Sequence, residues 1–184
     1  LGIDRDTYLI CHIGRFDSQK NHHYLIEIFD CWLKERPNSV LLLIGRGNLR
    51  KNVERQAVDL GIKDKVRFLG IRSDVPELLM ASDLFIFPST YEGLGIAAVE
   101  AQATGLPCLI SESLPEVTHF LPTTLALPID IDPKRWVETG ISLLSGFSTQ
   151  ARRDCWLRIK EKGFDIRDTA DRLCKLYLAN RSPS

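Results

Sequence analysis

No stretch of this 184-residue chain approaches the roughly 20 consecutive apolar residues needed to span a bilayer, and no signal-peptide pattern opens it. Cys-x-x-Cys pairs are missing as well: the five cysteines (Cys11, Cys31, Cys108, Cys155 and Cys174) are odd in number and widely spaced. Neither a disulfide framework nor a zinc site is suggested, and a reducing, cytosolic setting is expected. Net charge is absent, with 24 basic against 24 acidic residues. That balance speaks against nucleic-acid binding and against strong attraction to anionic lipid. There is no Gly-rich phosphate fingerprint, no internal repeat and no low-complexity tract. Position 1 is not Met, and an apolar run starts almost at once at Tyr8. The chain therefore reads as one domain, residues 1–184, of a longer polypeptide whose missing part lies N-terminal.

What is present is a regular alternation. Tyr8 to Ile13 and Val40 to Ile44 are short apolar runs that end at Gly14 and Gly45, as parallel strands buried on both faces do. Between them Leu25, Ile28, Phe29, Trp32 and Leu33 recur at helical spacing, with Pro37 where the helix should stop. The pattern continues: a helix over Gly47 to Leu60, a strand over Val66 to Leu69, a helix over Val75 to Ala81, a strand over Leu84 to Phe87. A helix over Gly95 to Thr104 and a strand over Leu106 to Ile110 follow, then a short strand at Leu125 to Leu127. Helices are expected over Pro133 to Leu144, Thr149 to Lys162 and Arg167 to Asn180, the last with an apolar stripe of Ile166, Ala170, Leu173, Cys174 and Tyr177 and a frayed tail beyond. Such alternation predicts a Rossmann-like α/β domain, a doubly wound, mostly parallel sheet with helices on both faces.

In such sheets ligands lie beyond the carboxyl ends of the strands. After the first strand, Gly14-Arg15-Phe16-Asp17-Ser18-Gln19-Lys20-Asn21 places two cations just before a helix N-terminus. Arg15 can fork onto two phosphate oxygens, Lys20 acts as a point charge, and the helix end adds amides. A solvated loop with two surface cations is the competing reading. Gly45-Arg46-Gly47 allows a close backbone approach, to a ligand or simply in a strand-to-helix turn. Gly70 and Arg72, after the third strand, stand where main-chain groups could meet the edge of a base. After the fourth strand, Glu92 and Glu100 lie eight positions apart in a loop that turns into an apolar helix. An unpaired carboxylate there is costly to bury, and a polyhydroxylated ligand would supply donors. Gly93, Leu94 and Gly95 would offer amides at the positive end of that helix.

Other residues invite blander readings. Asp130-Ile131-Asp132 has the form of a metal motif, but Asp132 as N-cap with Pro133 at the first helical position explains it better, and no metal site is expected. His12, His22 and His23 lack metal-ligand spacing and read as structural, with His23 near enough to the cation loop to touch a ligand. Arg152, Arg153, Arg158, Lys160 and Lys162 around Trp156 and Ile159 read as a solvated helix face, the alternative being peripheral contact with a membrane.

Taken in order, Gly14-Arg15-Phe16 with Lys20-Asn21, Phe68-Leu69-Gly70, Ala81-Ser82-Asp83, Pro88-Ser89, Glu92-Gly93-Leu94-Gly95 with Glu100-Ala101, and Gly105-Leu106-Pro107 resemble the C-terminal half of retaining GT-B glycosyltransferases. The similarity covers residues 8 to 145 and in tone is closest to bacterial exopolysaccharide or capsule enzymes. It implies a half that binds a nucleotide-diphosphate sugar, with a UDP-sugar the first expectation, while a separate N-terminal half binds a saccharide or lipid-linked acceptor. Carried onto these positions, Arg15 and Lys20 would hold the diphosphate, Glu92 the donor sugar and Glu100 the ribose, with amides of Gly93 to Gly95 assisting; no metal or other cofactor is required. The full-length protein would work in the cytoplasm, at the inner face of the membrane if it contacts one. The segment Ser111 to Glu116 departs from the glycine-containing loop usual after this strand. Two rival functions remain at this point, a nucleotide-sugar isomerase of the same architecture and a non-catalytic nucleotide-sugar-binding module.

Overall fold

The computed structural model describes residues 2–147, 152–153 and 155–179. The apolar runs form strands β1 (Tyr8–Ile13), β2 (Ser39–Ile44), β3 (Val66–Gly70), β4 (Leu84–Phe87), β5 (Cys108–Ser111) and β6 (Thr124–Leu127). They make one parallel sheet in the order β3-β2-β1-β4-β5-β6. Every residue of β2, β4 and β5 is buried because both faces are covered, and successive side chains serve different cores. Ile10, Leu41, Leu43, Ile86 and Leu109 face α1 (His22–Glu35), α2 (Arg50–Asp59) and α5 (Pro133–Ser145). Cys11, Leu42, Phe85, Phe87 and Ile110 face α3 (Val75–Ala81) and α4 (Ile96–Ala103). Leu25, Ile28, Phe29 and Trp32 of α1 are fully buried, so the helical period read from the sequence is the period that packs.

Local chemistry sets the element ends. Asp132 caps α5, its Oδ1 accepting from the Lys134 amide at 2.9 Å, and Pro133 fills the first turn where its missing N–H costs nothing. The helix expected from Gly47 starts at Arg50: a Cβ on Gly47 would stand 2.4 Å from the Phe16 carbonyl oxygen, so that glycine belongs to a backbone crossing rather than a helix. Helices α6 (Cys155–Ile159) and α7 (Ile166–Ala179) meet across a kink in Lys160–Phe164, where Gly163 leaves helical geometry at φ 86°. Of the expected helix over Thr149 to Lys162, residues 149–151 and 154 lie outside the described residues, as do Asn180 and the tail 181–184. The apolar stripe of α7 is uncovered, with Ile166 79% and Tyr177 74% exposed. No described helix is long and apolar enough to cross a membrane, and no disulfide joins any of the five cysteines.

Arg152, grouped by the sequence with a solvated basic face, instead turns inward. Its guanidinium donates to Thr104 O at 3.2 Å, Ser82 O at 2.9 Å and Leu79 O at 3.0 Å. It thus serves orphan carbonyls at the C-terminal ends of both α3 and α4, where a cation also meets the helix dipoles favourably. Gly105 makes the approach feasible, since a Cβ there would fall 2.6 Å from the Arg152 Cα. Arg152→Ala strands two partly buried carbonyls, those of Ser82 and Thr104, while Leu79 O keeps the Ser82 amide, so it should destabilise the domain by about 2 kcal/mol. Urea unfolding measures this, and a midpoint equal to that of the unaltered chain would contradict the staple.

Candidate functional site

Winding proceeds from β1 outward to β3 and then returns to β4 on the other side of β1. At such a switch point doubly wound sheets open a crevice to ligands, and here the loops after β1 and β4 flank it. Backbone contacts hold the first loop down. Gly14 N donates to Ile44 O at 2.9 Å, Phe16 N to Arg46 O at 3.0 Å, and Leu49 N to Phe16 O at 3.0 Å. The close approach foreseen at Gly45 is therefore to the protein's own chain: a Cβ there would sit 2.0 Å from the Gly14 oxygen. Asp17 Oδ1 then accepts the Lys20 amide at 3.2 Å, an Asx-type turn that aims the lysine. Asn21, in the left-handed region at φ 51°, starts α1, a conformation asparagine tolerates better than most residues.

Across the crevice stands Glu92. Lys20 Nζ donates to its Oε1 in an ion pair, with the carboxylate side chain 7% and the lysine 16% exposed. Gln19 Nε2 donates to the other oxygen, Oε2, at 3.3 Å and to Tyr91 O at 3.0 Å. Thr90 N reaches Gln19 O at 2.8 Å, so the two loops are laced together. The Lys20 ammonium also lies 4.9 Å from the centroid of the Phe87 ring, a cation–π contact. The donors that a buried carboxylate demands thus come from Lys20 and Gln19. Gln19 drew no notice in the sequence, since nothing local marks a glutamine that bonds 73 positions away.

Beyond Glu92, Gly95 takes φ 68° as the N-cap of α4 and has no side-chain cap. The amides of Gly93, Leu94 and Gly95 donate to no acceptor among the described residues, leaving them free at the positive end of the helix. Leu114, from the loop after β5, packs on this turn: a Cβ on Gly95 would meet its Cδ2 at 3.0 Å. Glu100 corrects the sequence expectation of a carboxylate sunk among apolar side chains. It is exposed, as Ile96 is at 61%, yet desolvation still raises its carboxyl above the ordinary glutamate value. It has no hydrogen bond or ion pair among the described residues, which leaves it open to a ligand.

Arg15 is likewise exposed, and its guanidinium donates to no described group. Arg72 is engaged: Nε and Nη2 fork onto Asp74 at 2.7 and 2.6 Å. The Gly70 carbonyl accepts the Gly45 amide at 2.8 Å. The structure thus brings Lys20 and Glu92 together and leaves Arg15, Gly93, Leu94, Gly95 and Glu100 available; no contact joins Gly70 or Arg72 to that group. His23 turns to α2, its Nδ1 2.7 Å from Gln56 Nε2. Among the described residues no cluster of three or more His, Cys, Asp or Glu side chains is placed to hold a metal.

Two imidazoles lie beneath the loop, beyond anything their positions in the sequence foretold. His12 on β1 is 0% and His22 at the start of α1 is 2% exposed. Burial and then the neighbouring His22 hold His12 well below the usual histidine value. Burial, with the charge of Lys20 second, brings His22 down to about 4.

A parallel six-stranded α/β sheet with a cation loop and an uncapped glycine turn meeting at its switch point is a Rossmann-like domain of the ligand-binding kind. Comparison with known proteins gives the family. The profile of the group 1 glycosyl transferases matches residues 1–121, and the chain belongs to that family. It is 35% identical over 182 residues to EpsF of Bacillus subtilis (strain 168), named as a glycosyltransferase, covering 96% of this chain and 46% of that one. It is 37% identical over 114 residues to the UDP-Gal:alpha-D-GlcNAc-diphosphoundecaprenol alpha-1,3-galactosyltransferase of Escherichia coli, covering 60% and 30%. The chain thus spans less than half the length of these relatives. HepE of Anabaena, solved with UDP and glucose, superposes with a TM-score of 0.78 at 21% identity, covering 95% of this chain and 49% of that one. Sucrose-phosphate synthase of Thermosynechococcus elongatus superposes at 0.82 with 22% identity, covering 96% and 46%. The domain is one half of a GT-B fold.

The Lys20–Glu92 pair and the buried imidazoles give separate tests. Lys20→Ala leaves a nearly buried carboxylate with half its donors, so a double-mutant cycle with Glu92→Gln should return a coupling of about 1–3 kcal/mol; additive losses would show that the pair is idle. For the imidazoles, His22 is lowered from the usual 6.5 to about 4, so between those values the unfolded chain binds more protons than the folded one. Stability is complete above about pH 6.5 and falls as pH drops toward 4. In urea unfolding at several pH values, His22→Phe should flatten this acid loss, whereas an unchanged slope would contradict the assignment.

Proposed function

We propose that this chain is the donor-binding half of a glycosyltransferase that moves a sugar from a nucleoside diphosphate onto a saccharide or lipid-linked acceptor, with retention of anomeric configuration. The observation that carries the reading is the meeting of Lys20 and Glu92 at the switch point, beside an open Arg15 and the free amides of Gly93 to Gly95. An ammonium has three donors, so Lys20 can keep Glu92 and still reach a diphosphate oxygen. Arg15 supplies a fork for two more oxygens. Together with the α4 terminus these groups stabilise charge as it develops on the departing diphosphate. Glu92, fixed by Lys20 and Gln19, is positioned to accept from sugar hydroxyls, and Glu100 from those of the ribose.

UDP is the favoured diphosphate, a choice supported by HepE, solved with UDP, and by the UDP-Gal enzyme among the relatives. Family membership favours transfer over both the isomerase reading and the non-catalytic nucleotide-sugar-binding module. Transfer would need a second, acceptor-binding half closing over the crevice, in keeping with the fraction of each relative that the chain spans. The uncovered apolar stripe of α7 gives such a half something to bury. A cytoplasmic location with peripheral membrane contact goes with this reading, the contact supported by the exposed Trp156 among basic residues.

Calorimetry with UDP, GDP and ADP tests the assignment. UDP should bind best, Arg15→Ala should weaken it about tenfold through loss of a charge-assisted pair of bonds, and Glu100→Ala should weaken it without changing the fold. If none of the three nucleotides binds at millimolar concentration, the donor-site assignment is wrong. If Glu100→Ala binds as tightly as the unaltered chain, only the ribose role fails.

A further inference from the structure

Under the Arg15–Lys20 loop, three ring nitrogens lie buried without a hydrogen-bond partner: Nε2 of His12 and both Nδ1 and Nε2 of His22. Each such group costs about 1–3 kcal/mol when left unpaired, and native proteins retain few of them without a reason. The geometry says what would satisfy them. His12 Nδ1 lies 2.9 Å from the Ile86 carbonyl oxygen, which can only accept, so Nδ1 carries the proton and Nε2 is a bare acceptor. That acceptor points toward the loop, because a Cβ on Gly14 would stand 2.9 Å from it and equally 2.9 Å from Cγ of Lys20. The His22 ring stands edge-on to His12 with centroids 4.6 Å apart and stacks on Phe16 at 4.2 Å.

Neutral His22 has one N–H and one bare nitrogen, and uses neither. With a small turn of the ring the neutral N–H could serve His12 Nε2, in a chain that ends at the Ile86 carbonyl, but the second nitrogen of His22 would stay a bare acceptor with no donor beside it. Protonation turns that second nitrogen into a donor that a carbonyl of the loop can take, so one added proton completes what the neutral tautomer only half satisfies. Burial opposes this in the empty site, and the Lys20 charge adds to the opposition.

The charged and titratable surroundings of His22 are few. His12 faces it from β1, and Lys20 and Asp17 come from the loop, with Glu92 reaching in through Lys20. On the α2 side His22 lines a cavity of about 530 Å³ shared with Asp17, His23, Arg55 and Asp59. The remaining walls are rings, Phe16 on His22, and Phe85 and Phe87 on His12. Lys20 is thus the nearby cation in this setting, and it is the group to which an incoming diphosphate brings negative charge.

We propose that His22, backed by His12, is a positioning residue of the donor site that takes up a proton from solvent when a free nucleoside diphosphate occupies the Arg15–Lys20 loop. The inference rests on the donor-site reading given above. With the anion in place the repulsion from Lys20 is offset, and the imidazolium supports the loop from below while the ligand is held from above. Binding of the diphosphate is then linked to pH by the same free energy that links protonation to binding.

The test is calorimetry of UDP at pH 5 in two buffers of different ionisation heat, on the unaltered chain and on His22→Asn. The unaltered chain should take up more protons per UDP bound than the variant. Its affinity should also fall about fivefold more steeply than the variant's between pH 4 and pH 6. The titration of the His22 ring, followed by NMR in the unaltered chain with and without UDP, needs no variant and should show a midpoint raised by about one pH unit or more on saturation. Equal proton uptake in both proteins with an unmoved midpoint would overturn the proposal while leaving the donor site standing, as a merely structural histidine requires. Failure of UDP, GDP and ADP to bind the unaltered chain would overturn the donor reading and this inference with it.

Discussion

A lysine and a glutamate 72 positions apart share an ion pair because the sheet reverses its direction of winding between β1 and β4. Nearly everything else about the site follows from that reversal. The two loops that follow these strands flank the crevice that the reversal opens, and Lys20 of the first meets Glu92 of the second. A carboxylate as buried as that of Glu92 is tolerable only with such a partner. The lysine in turn is held by the Asp17 turn, by the Phe87 ring and by a loop whose backbone rests against the end of β2 and the turn that follows it. Gly45 and Gly47 allow this rest, since any side chain at either would occupy the space of the Gly14 and Phe16 carbonyls.

The charge at the crevice also shapes what lies below it. Lys20 helps to keep two imidazoles neutral beneath the loop, and the neutrality leaves their nitrogens without partners. The arrangement is stable at neutral pH and loses stability in acid, and it makes the floor of the site sensitive to what binds above. The exposed groups, Arg15 and Glu100 with the amides of Gly93 to Gly95, lie around the paired ones. A ligand that brings phosphates to one end and hydroxyls to the other satisfies both sets.

The sheet was legible in the sequence because strands buried on both faces must be apolar throughout: β1, α3 and β4 fall where the runs and breakers predicted, and Asp132 caps α5 as its proline neighbour implied. The placement of Arg15, Lys20 and Glu92 beside the switch point was legible because ordered motifs after strands mark it. Four features were not. Gln19 and the His12–His22 couple work through partners on other strands, and no local spacing announces such a partner. Arg152 looked like one of several surface cations, yet tertiary packing drew it inward to helix ends that the sequence does not bring near it. Glu100 was read as buried from apolar neighbours at helical spacing, but α4 turns that side outward, and exposure of Ile96 beside it shows that an apolar neighbour is no proof of burial.

The central claim is that one crevice, between the loops after β1 and β4, takes the nucleotide. Amide chemical shifts of the isotope-labelled chain, followed while UDP is added, read this residue by residue. The account predicts that the largest changes fall on residues 14–21 and 92–95. Changes concentrated instead on the groove between α1 and α5, around Cys31 and Ser142, or an absence of any change at saturating nucleotide, would contradict it.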